Sequence, residues 1–78
     1  GSWRDPKSYL QEISQRVDNQ TPVYKVLSEE GPDHDKVFTL GVFVGDNMMG
    51  RGIGPSKQVA QQQAARAAIA KYKESGEK

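Results

Sequence analysis

The chain has 78 residues, of which 35% are hydrophobic, and its 11 basic and 10 acidic side chains leave a net charge of +1. This length suits one small domain with little room for a buried active-site cavity. A net charge near zero does not by itself indicate binding to nucleic acid, which would depend on where the basic side chains lie. The absence of cysteine excludes disulfides and thiolate zinc sites. No apolar run approaches the roughly 18 residues of a membrane span, and no signal peptide is recognisable.

The two ends of the sequence differ from its middle. Gly1 and Ser2 look like a cloning scar, and we expect residues 1–4 to be scar and linker. Residues 5–73 are expected to form the domain, and residues 74–78 a frayed tail. The sequence is therefore expected to be a domain taken from a longer protein.

The first element in the chain is a predicted helix. Asp5 offers a capping acceptor, and the fixed φ of Pro6 suits the first helical turn. Apolar side chains then recur at helical spacing at Leu10, Ile13 and Val17. We expect this helix to end near residues 18–20.

Three strands are predicted next, because β-branched and aromatic residues alternate with turn signals. The strands are residues 23–27, 36–44 and 48–51, separated by a loop at 31–35 and a turn at 45–47. One face of the second strand carries Phe38, Leu40, Val42 and Val44. The alternation favours an antiparallel meander.

A flexible glycine segment, residues 50–54, is expected to lead into a final helix that Ser56 caps and that reaches about Tyr72. The start of this helix suits an anion, since it offers unpaired N–H groups and the positive end of the helix dipole. Its small face consists of Ala60, Ala64, Ala67 and Ala68, widened by Ala65 and Tyr72, and predicts close packing. The fold class is therefore α+β, in the order α-β-β-β-α, with two helices packed on one face of a three-stranded antiparallel sheet.

Four segments together resemble a double-stranded-RNA-binding domain, most closely the C-terminal domain of bacterial-type ribonuclease III. They are Leu10-Gln11-Glu12, Gly31-Pro32-Asp33-His34, Lys36-Val37-Phe38-Thr39, and Gly50-x-Gly52 followed by Ser56-Lys57-x-x-Ala60 and Ala64-Ala65. The resemblance covers about residues 5–72. It implies recognition of A-form RNA by shape, with slight sequence preference, across two minor grooves and the intervening major-groove phosphates over roughly 16 base pairs.

The first candidate site is the polar face of the first helix, formed by Ser8, Gln11, Glu12 and Gln15. Amide groups both donate and accept hydrogen bonds, as do 2′-hydroxyls and minor-groove edges. From chemistry alone, an ordinary solvated face is the commoner explanation for such a pattern. The resemblance assigns minor-groove contact to Gln11, Glu12 and Gln15, and we place Ser8 with them.

The second candidate is the loop that contains Pro32 and His34. A single histidine in a polar loop is usually just exposed, whereas the resemblance places this loop in a neighbouring minor groove with His34 at a ribose. The flanking Asp33 and Asp35 should weaken attraction to phosphate. We reject a metal site here, since no further ligands complete a coordination shell.

The third candidate is the start of the final helix, which is expected to contact phosphates through Ser56, Lys57, Gln58 and Gln61. The family places two adjacent lysines here and often another basic residue three positions later. Glutamine stands at both of the later positions. Fewer cations release fewer counterions, so we predict weaker binding with a flatter salt dependence. We expect Arg51 and Lys7 to compensate in part.

The sequence contains no catalytic constellation, because one histidine and no cysteine leave nothing to assign. The glycine segment lacks dinucleotide-loop spacing, and Ser56 precedes Lys57, which is the reverse of a P-loop. We expect a monomeric binding module without cofactor or membrane contact. The resemblance implies a cytoplasmic, homodimeric ribonuclease III as the parent, with magnesium in its separate nuclease domain.

A second function remains open, in which a degenerate domain serves protein docking or dimerisation. Strand alternation places Val37, Thr39 and Phe43 on the sheet face away from the helices. Leu27 and either Met48 or Met49 are expected to join them. Such a face is more apolar than a monomer needs.

Overall fold

The computed structural model describes residues 5–76, and its elements follow the predicted order. They are α1 (Pro6–Asp18), β1 (Val23–Glu30), a 3₁₀ turn (Asp33–Asp35), β2 (Val37–Val44), β3 (Asn47–Gly54) and α2 (Lys57–Glu74). The strands form one antiparallel sheet in the order β1-β2-β3. The predicted α+β fold class is thereby confirmed. The predicted linker at 1–4 and the last two residues of the predicted tail lie outside the described residues.

Helix α1 begins as predicted, because the Asp5 carboxylate accepts a hydrogen bond from the Ser8 N–H at 3.3 Å. Leu10 and Ile13 are buried, whereas Val17, the third apolar residue at this helical spacing, is 44% exposed. Val17 lies in the last turn, beyond the part of α1 that packs inward. The third buried position is Ser14, whose hydroxyl donates to the carbonyl of Gln11 at 3.2 Å. That bond allows a polar side chain to be buried.

Two strands are longer than predicted. Strand β1 extends to Glu30 and contains a bulge between Val26 and Ser28. Strand β3 runs from Asn47 to Gly54, so the prediction of a flexible glycine lead-in is wrong for this segment. The glycines belong to the sheet, where they pair with Phe38, Leu40 and Val42 of β2.

Close contact between β3 and α2 explains these glycines. A Cβ atom built on Gly52 would lie 2.5 Å from the backbone nitrogen of Ala64, and one on Gly50 would lie 2.6 Å from that of Ala68. The facing alanines Ala60, Ala64, Ala65 and Ala68 are buried, whereas Ala67 is exposed at the rim, against the prediction for it. The backbone of α2 therefore lies directly on β3.

The two helices run in the same direction over one face of the sheet. Near their starts, Lys7 Nζ donates to Gln61 Oε1 at 2.8 Å, and near their ends the Tyr72 hydroxyl donates to Asp18 Oδ2 at 2.5 Å. The core between the helices and the sheet contains Leu10, Ile13, Val42, Ala64, Ala65, Ala68 and Tyr72. This packing leaves the opposite side of α1 and the start of α2 at the surface.

Candidate nucleic-acid interface

The polar face of α1 is exposed as predicted. Ser8, Gln11, Glu12 and Gln15 all lie at the surface, because Leu10, Ile13 and Ser14 turn the opposite side of the helix inward. Gln15 Nε2 donates to Thr21 Oγ1 at 2.7 Å. The amide of Gln15 is therefore held in place with its carbonyl oxygen left to accept a hydrogen bond from a partner.

The β1–β2 loop has a fixed shape that presents His34 outward. Gly31 has φ +96°, and a Cβ at this position would lie 2.5 Å from the Asp35 carbonyl oxygen, so only glycine fits. The Asp35 N–H donates to the Pro32 carbonyl at 2.9 Å and closes the 3₁₀ turn. His34 is exposed at the centre of this turn. No group of three or more His, Asp or Glu side chains able to hold a metal ion occurs among residues 5–76.

A lysine beside the loop offsets part of its negative charge. Lys36 Nζ lies 3.4 Å from a carboxylate oxygen of Asp33 and 3.6 Å from one of Glu29. The expected repulsion between this loop and a phosphate is therefore smaller than the count of acidic residues suggests. Asp35 remains exposed beside His34.

The start of α2 carries both a capped backbone and a cation. The Ser56 hydroxyl accepts a hydrogen bond from the Val59 N–H at 3.1 Å, as the predicted cap requires. Lys57 is exposed, and its Nζ lies 5.9 Å from the centre of the Phe38 ring. The face of an aromatic ring attracts a cation, so Lys57 favours conformations that keep its ammonium near Phe38. Lys57 is thereby directed from α2 toward the loop side of the sheet.

The two glutamines at positions where the resemblance implies basic residues have different surroundings. Gln58 is exposed, whereas Gln61 is half-buried and its amide oxygen accepts the hydrogen bond from Lys7. Lys7 Nζ also lies 5.2 Å from the centre of the Tyr24 ring. Burial, and then the charge of Asp5, raises the pKa of that tyrosine to about 12. A cation from α1 therefore reaches the surface of α2.

Arg51 lies away from this group of side chains. Its neighbours Gly50 and Gly52 face α2, and successive residues of a strand face opposite sides of the sheet. Arg51 consequently projects from the outer face of the sheet.

Direct contacts connect the three candidate sites. Lys7 and Gln61 join α1 to α2. Phe38, which lies beneath Lys57, pairs with Glu29 of β1, and Glu29 contacts Lys36 at the end of the loop. The start of α2 therefore lies between the other two sites and is linked to each of them through neighbouring residues.

One basic residue near the interface is missing from the sequence-based candidates. Arg66 lines a shallow depression on α2 together with Gln58, Val59, Gln62 and Gln63. Gln58, Gln62 and Arg66 recur every four residues, a spacing that places them on one side of a helix. This spacing is the feature of the sequence that could have identified Arg66 as a candidate.

The outer face of the sheet carries the apolar cluster that sequence alternation predicts. A Cβ built on Gly41 would lie 3.0 Å from Met48 Sδ and 3.2 Å from atoms of Leu27 and Phe43, so these three side chains meet above the glycine. Val37 is 44% exposed on the same face. Met48 belongs to this cluster, whereas Met49 packs against the core.

Comparison with known proteins identifies the family. The family described as "Double-stranded RNA binding motif" matches residues 6–72. The chain is 48% identical over 68 residues to Ribonuclease 3 of Protochlamydia amoebophila and 45% identical over 75 residues to Ribonuclease 3 of Moorella thermoacetica. These alignments cover 87% and 96% of the chain but only 28% and 32% of the two relatives. The chain thus spans about a third of the length of the curated relatives it matches.

Solved structures share the fold. A structure of HYL1 from Arabidopsis, reported for its implications in miRNA processing, superposes with a TM-score of 0.77 at 30% identity and covers 90% of this chain and 99% of that one. Dicer from Pichia stipitis gives a TM-score of 0.69 at 30% identity, over 85% of this chain and 32% of Dicer. Neither described helix is long and apolar enough to cross a membrane. The family match over 6–72 and the resemblance to ribonuclease III are in agreement, and the chain belongs to the double-stranded RNA binding motif family.

Proposed function

We propose that this domain binds double-stranded RNA by shape and positions it for a ribonuclease III catalytic domain of the same protein. The observation that carries the proposal is the junction at the start of α2, where Lys57 and Lys7 lie between the exposed face of α1 and the β1–β2 loop. Family membership supports RNA as the ligand. The surface offers phosphate contacts between two regions of hydrogen-bonding side chains, as an A-form duplex requires.

Each region has a proposed role. Gln11, Glu12, Gln15 and Ser8 contact 2′-hydroxyls and base edges in one minor groove, because amide, carboxylate and hydroxyl groups match those partners. Pro32 and His34 enter a second minor groove. Ser56, Lys57, Gln58 and Gln61 face the phosphates between the two grooves, where the N–H groups at the start of α2 also point.

The rest of the protein is proposed from its relatives. Two curated relatives are named Ribonuclease 3, and most of their length lies outside the part matched here. We propose a cytoplasmic, homodimeric parent whose separate nuclease domain cleaves RNA with Mg²⁺. The role of the present domain in that parent is to hold the duplex, without catalysis.

A gel-shift comparison tests RNA binding directly. A 20-base-pair RNA duplex should bind, whereas a DNA duplex of matched sequence and single-stranded RNA should bind much more weakly, because recognition depends on A-form shape and 2′-hydroxyls (length from). Lys57→Ala should weaken duplex binding roughly tenfold near 0.1 M salt, since one cation leaves the phosphate contact. Equal binding of the three nucleic acids, or no binding to any, contradicts the proposal.

The outer sheet face favours a second candidate function, protein docking. Leu27, Phe43 and Met48 form an apolar cluster there that the described part of the chain leaves at the surface. Phe43→Ser is the matching variant in the same experiment. If RNA binding is the function, the Phe43→Ser variant should retard the RNA duplex in the gel as the unmodified domain does. Docking predicts that it abolishes self-association or partner binding, while RNA titration shows no complex.

A further inference from the structure

A lysine of α1 connects the starts of the two helices. Lys7 donates to Gln61 Oε1 at 2.8 Å, and its ammonium lies 5.2 Å from the centre of the Tyr24 ring. Both partners are uncharged. Within the part of the chain that the structure describes, the ammonium forms no salt bridge. The nearby carboxylate of Asp5 is bound instead to the Ser8 N–H and to Gln62 Nε2.

The position of this charge relative to α2 is specific. Gln61 follows Lys57 by four residues, and residues at that spacing lie on the same side of a helix, one turn apart. Lys7 therefore supplies a positive charge one turn beyond Lys57, at a residue of α2 that has none of its own. It also precedes Gln11 by four residues, which places it beside the polar face of α1.

The contacts of Lys7 prepare it for an anion. An ammonium group has three donors, and only one is used by Gln61. The hydrogen bond and the Tyr24 ring restrict a side chain that is otherwise among the most flexible in proteins, so less freedom remains to be lost on binding. Gln61, in turn, keeps its amide N–H groups available for the same phosphate.

We infer that Lys7 is a phosphate-contacting residue that acts from α1, in place of a basic residue at position 61 of α2. This inference depends on the proposed RNA-binding function and adds a residue to its phosphate site. The ligand is the RNA backbone between the two minor grooves. The Lys7–Gln61 pair spans the two helices, so it also fixes the phosphate contact relative to the minor-groove contacts of α1.

The test is a charge-relocation series measured with the 20-base-pair RNA duplex. Lys7→Gln should weaken binding about eightfold at 0.1 M salt and reduce the slope of log K against log salt by about 0.9, the change expected for one phosphate contact by analogy with B-form DNA. Adding Gln61→Lys to Lys7→Gln returns a positive charge to the same place from the other helix. The double variant should therefore recover both the affinity and the slope.

The matched control is Lys25→Gln, which removes the same charge elsewhere. Lys25 lies on the outer face of the sheet, and its Nζ is 4.8 Å from the centre of the Phe43 ring, so it is also a lysine beside an aromatic side chain. It should leave affinity and slope close to those of the unmodified domain. Thermal melting of each variant shows whether folding has changed.

Two results would overturn the inference. If Lys7→Gln behaves as Lys25→Gln does, Lys7 does not contact phosphate. If Lys7→Gln weakens binding without a change in slope, or Gln61→Lys fails to restore it, the lysine has only a structural role. In both cases the unmodified domain still binds RNA and Lys57→Ala still weakens that binding, so the proposed function survives. Failure of the unmodified domain to bind overturns both proposals.

Discussion

At the scale of single residues, Tyr72 links the ends of the two helices. Its ring is buried in the core, while its hydroxyl donates to Asp18 at 2.5 Å. Burial raises the pKa of Tyr72 well above its usual value, and the hydrogen bond and charge of Asp18 raise it further. A group whose pKa is higher in the folded than in the unfolded state stabilises the folded state fully at pH values below the unfolded pKa. That contribution is lost as pH rises toward the folded pKa.

Tyr72→Phe should cost about 1 kcal/mol of the free energy of unfolding at pH 7, the usual contribution of one hydrogen bond. The pKa of Tyr72 is higher in the folded than in the unfolded state, so its contribution is complete below about pH 10 and is lost as pH rises above that. The unmodified domain should therefore lose stability above pH 10 more steeply than the variant. Urea unfolding at neutral and alkaline pH measures both effects.

Tyr24→Phe is the control for this measurement. The pKa of Tyr24 is raised to about 12, and its hydroxyl is buried without a partner among the described residues. Removing that hydroxyl should reduce the loss of stability at alkaline pH without lowering the free energy of unfolding at pH 7. An alkaline loss that is unchanged in the double variant, Tyr24→Phe with Tyr72→Phe, would show that other groups cause it.

Sequence reasoning worked best for residues whose role is local. The caps at Asp5 and Ser56 depend on neighbours three residues away, and both were predicted. The Lys7–Gln61 contact joins residues 54 positions apart, so no pattern within either helix reveals it. The exposure of Val17 likewise depends on where the packing of α1 ends. The proposed contacts of Gln11 and His34 with RNA remain predictions.

At the scale of elements, the packing of α2 on β3 sets the geometry of the phosphate site. Gly50, Gly52 and Gly54 face the helix, and each would place a Cβ too close to it. Glycine is uncommon inside strands, since it has no side chain to pack. A run of glycines therefore predicts a flexible lead-in, although here the absence of side chains is what allows the two backbones to approach each other.

Gly52→Ala should destabilise the domain by about 3 kcal/mol, at the upper end of the cost of overpacking. The added methyl group would meet the backbone of Ala64 at 2.5 Å, and backbone moves less easily than a side chain. Ile53→Ala is the control, because Ile53 lies on the opposite face of the same strand and is 49% exposed. Urea unfolding measures both. Equal small losses would show that α2 can move away from β3 at little cost.

Helix α2 also covers the free edge of β3. The Ile53 N–H donates to Gln63 Oε1 at 3.2 Å, and Lys71 Nζ donates to the Met48 carbonyl at 3.4 Å. Unpaired backbone groups at a sheet edge can pair with a strand of another molecule. Here the side chains of Gln63 and Lys71 bind two of these groups instead. Strand β1, at the other edge, has Val23 and Val26 exposed and a bulge at Leu27, which interrupts a regular pairing edge.

At the scale of the whole molecule, the proposed contacts occupy separate regions of a domain whose longest dimension is 40 Å. A partner must be long enough to reach both the face of α1 and the β1–β2 loop. A duplex of roughly 16 base pairs offers two successive minor grooves, and a duplex of half that length offers one. The contribution of the loop should therefore depend on duplex length.

His34→Ala should weaken binding to a 20-base-pair RNA duplex several-fold and leave binding to an 8-base-pair duplex unchanged, because the short duplex cannot reach the loop while it occupies α1 (lengths from). The control is Asn47→Ala, an exposed polar residue at the start of β3. It pairs with Val44 at the end of β2 far from the loop, and the seven residue steps of β2 span about 23 Å. Gel shifts with both duplexes measure the effect. A loss that is the same for the two lengths would contradict a two-groove footprint.

The shared direction of α1 and α2 has a consequence for how the domain meets its partner. Each helix has a partial charge of about half a unit at each end, positive at its start. Because the two helix starts lie side by side, their positive partial charges add there, whereas Arg16, Lys71 and Lys73 offset the negative partial charges at the other ends. The net charge of only +1 gives the domain little long-range attraction for a polyanion. Because screening limits the local field to about 10 Å in ordinary salt, the helix starts act on a polyanion only in the last step of encounter.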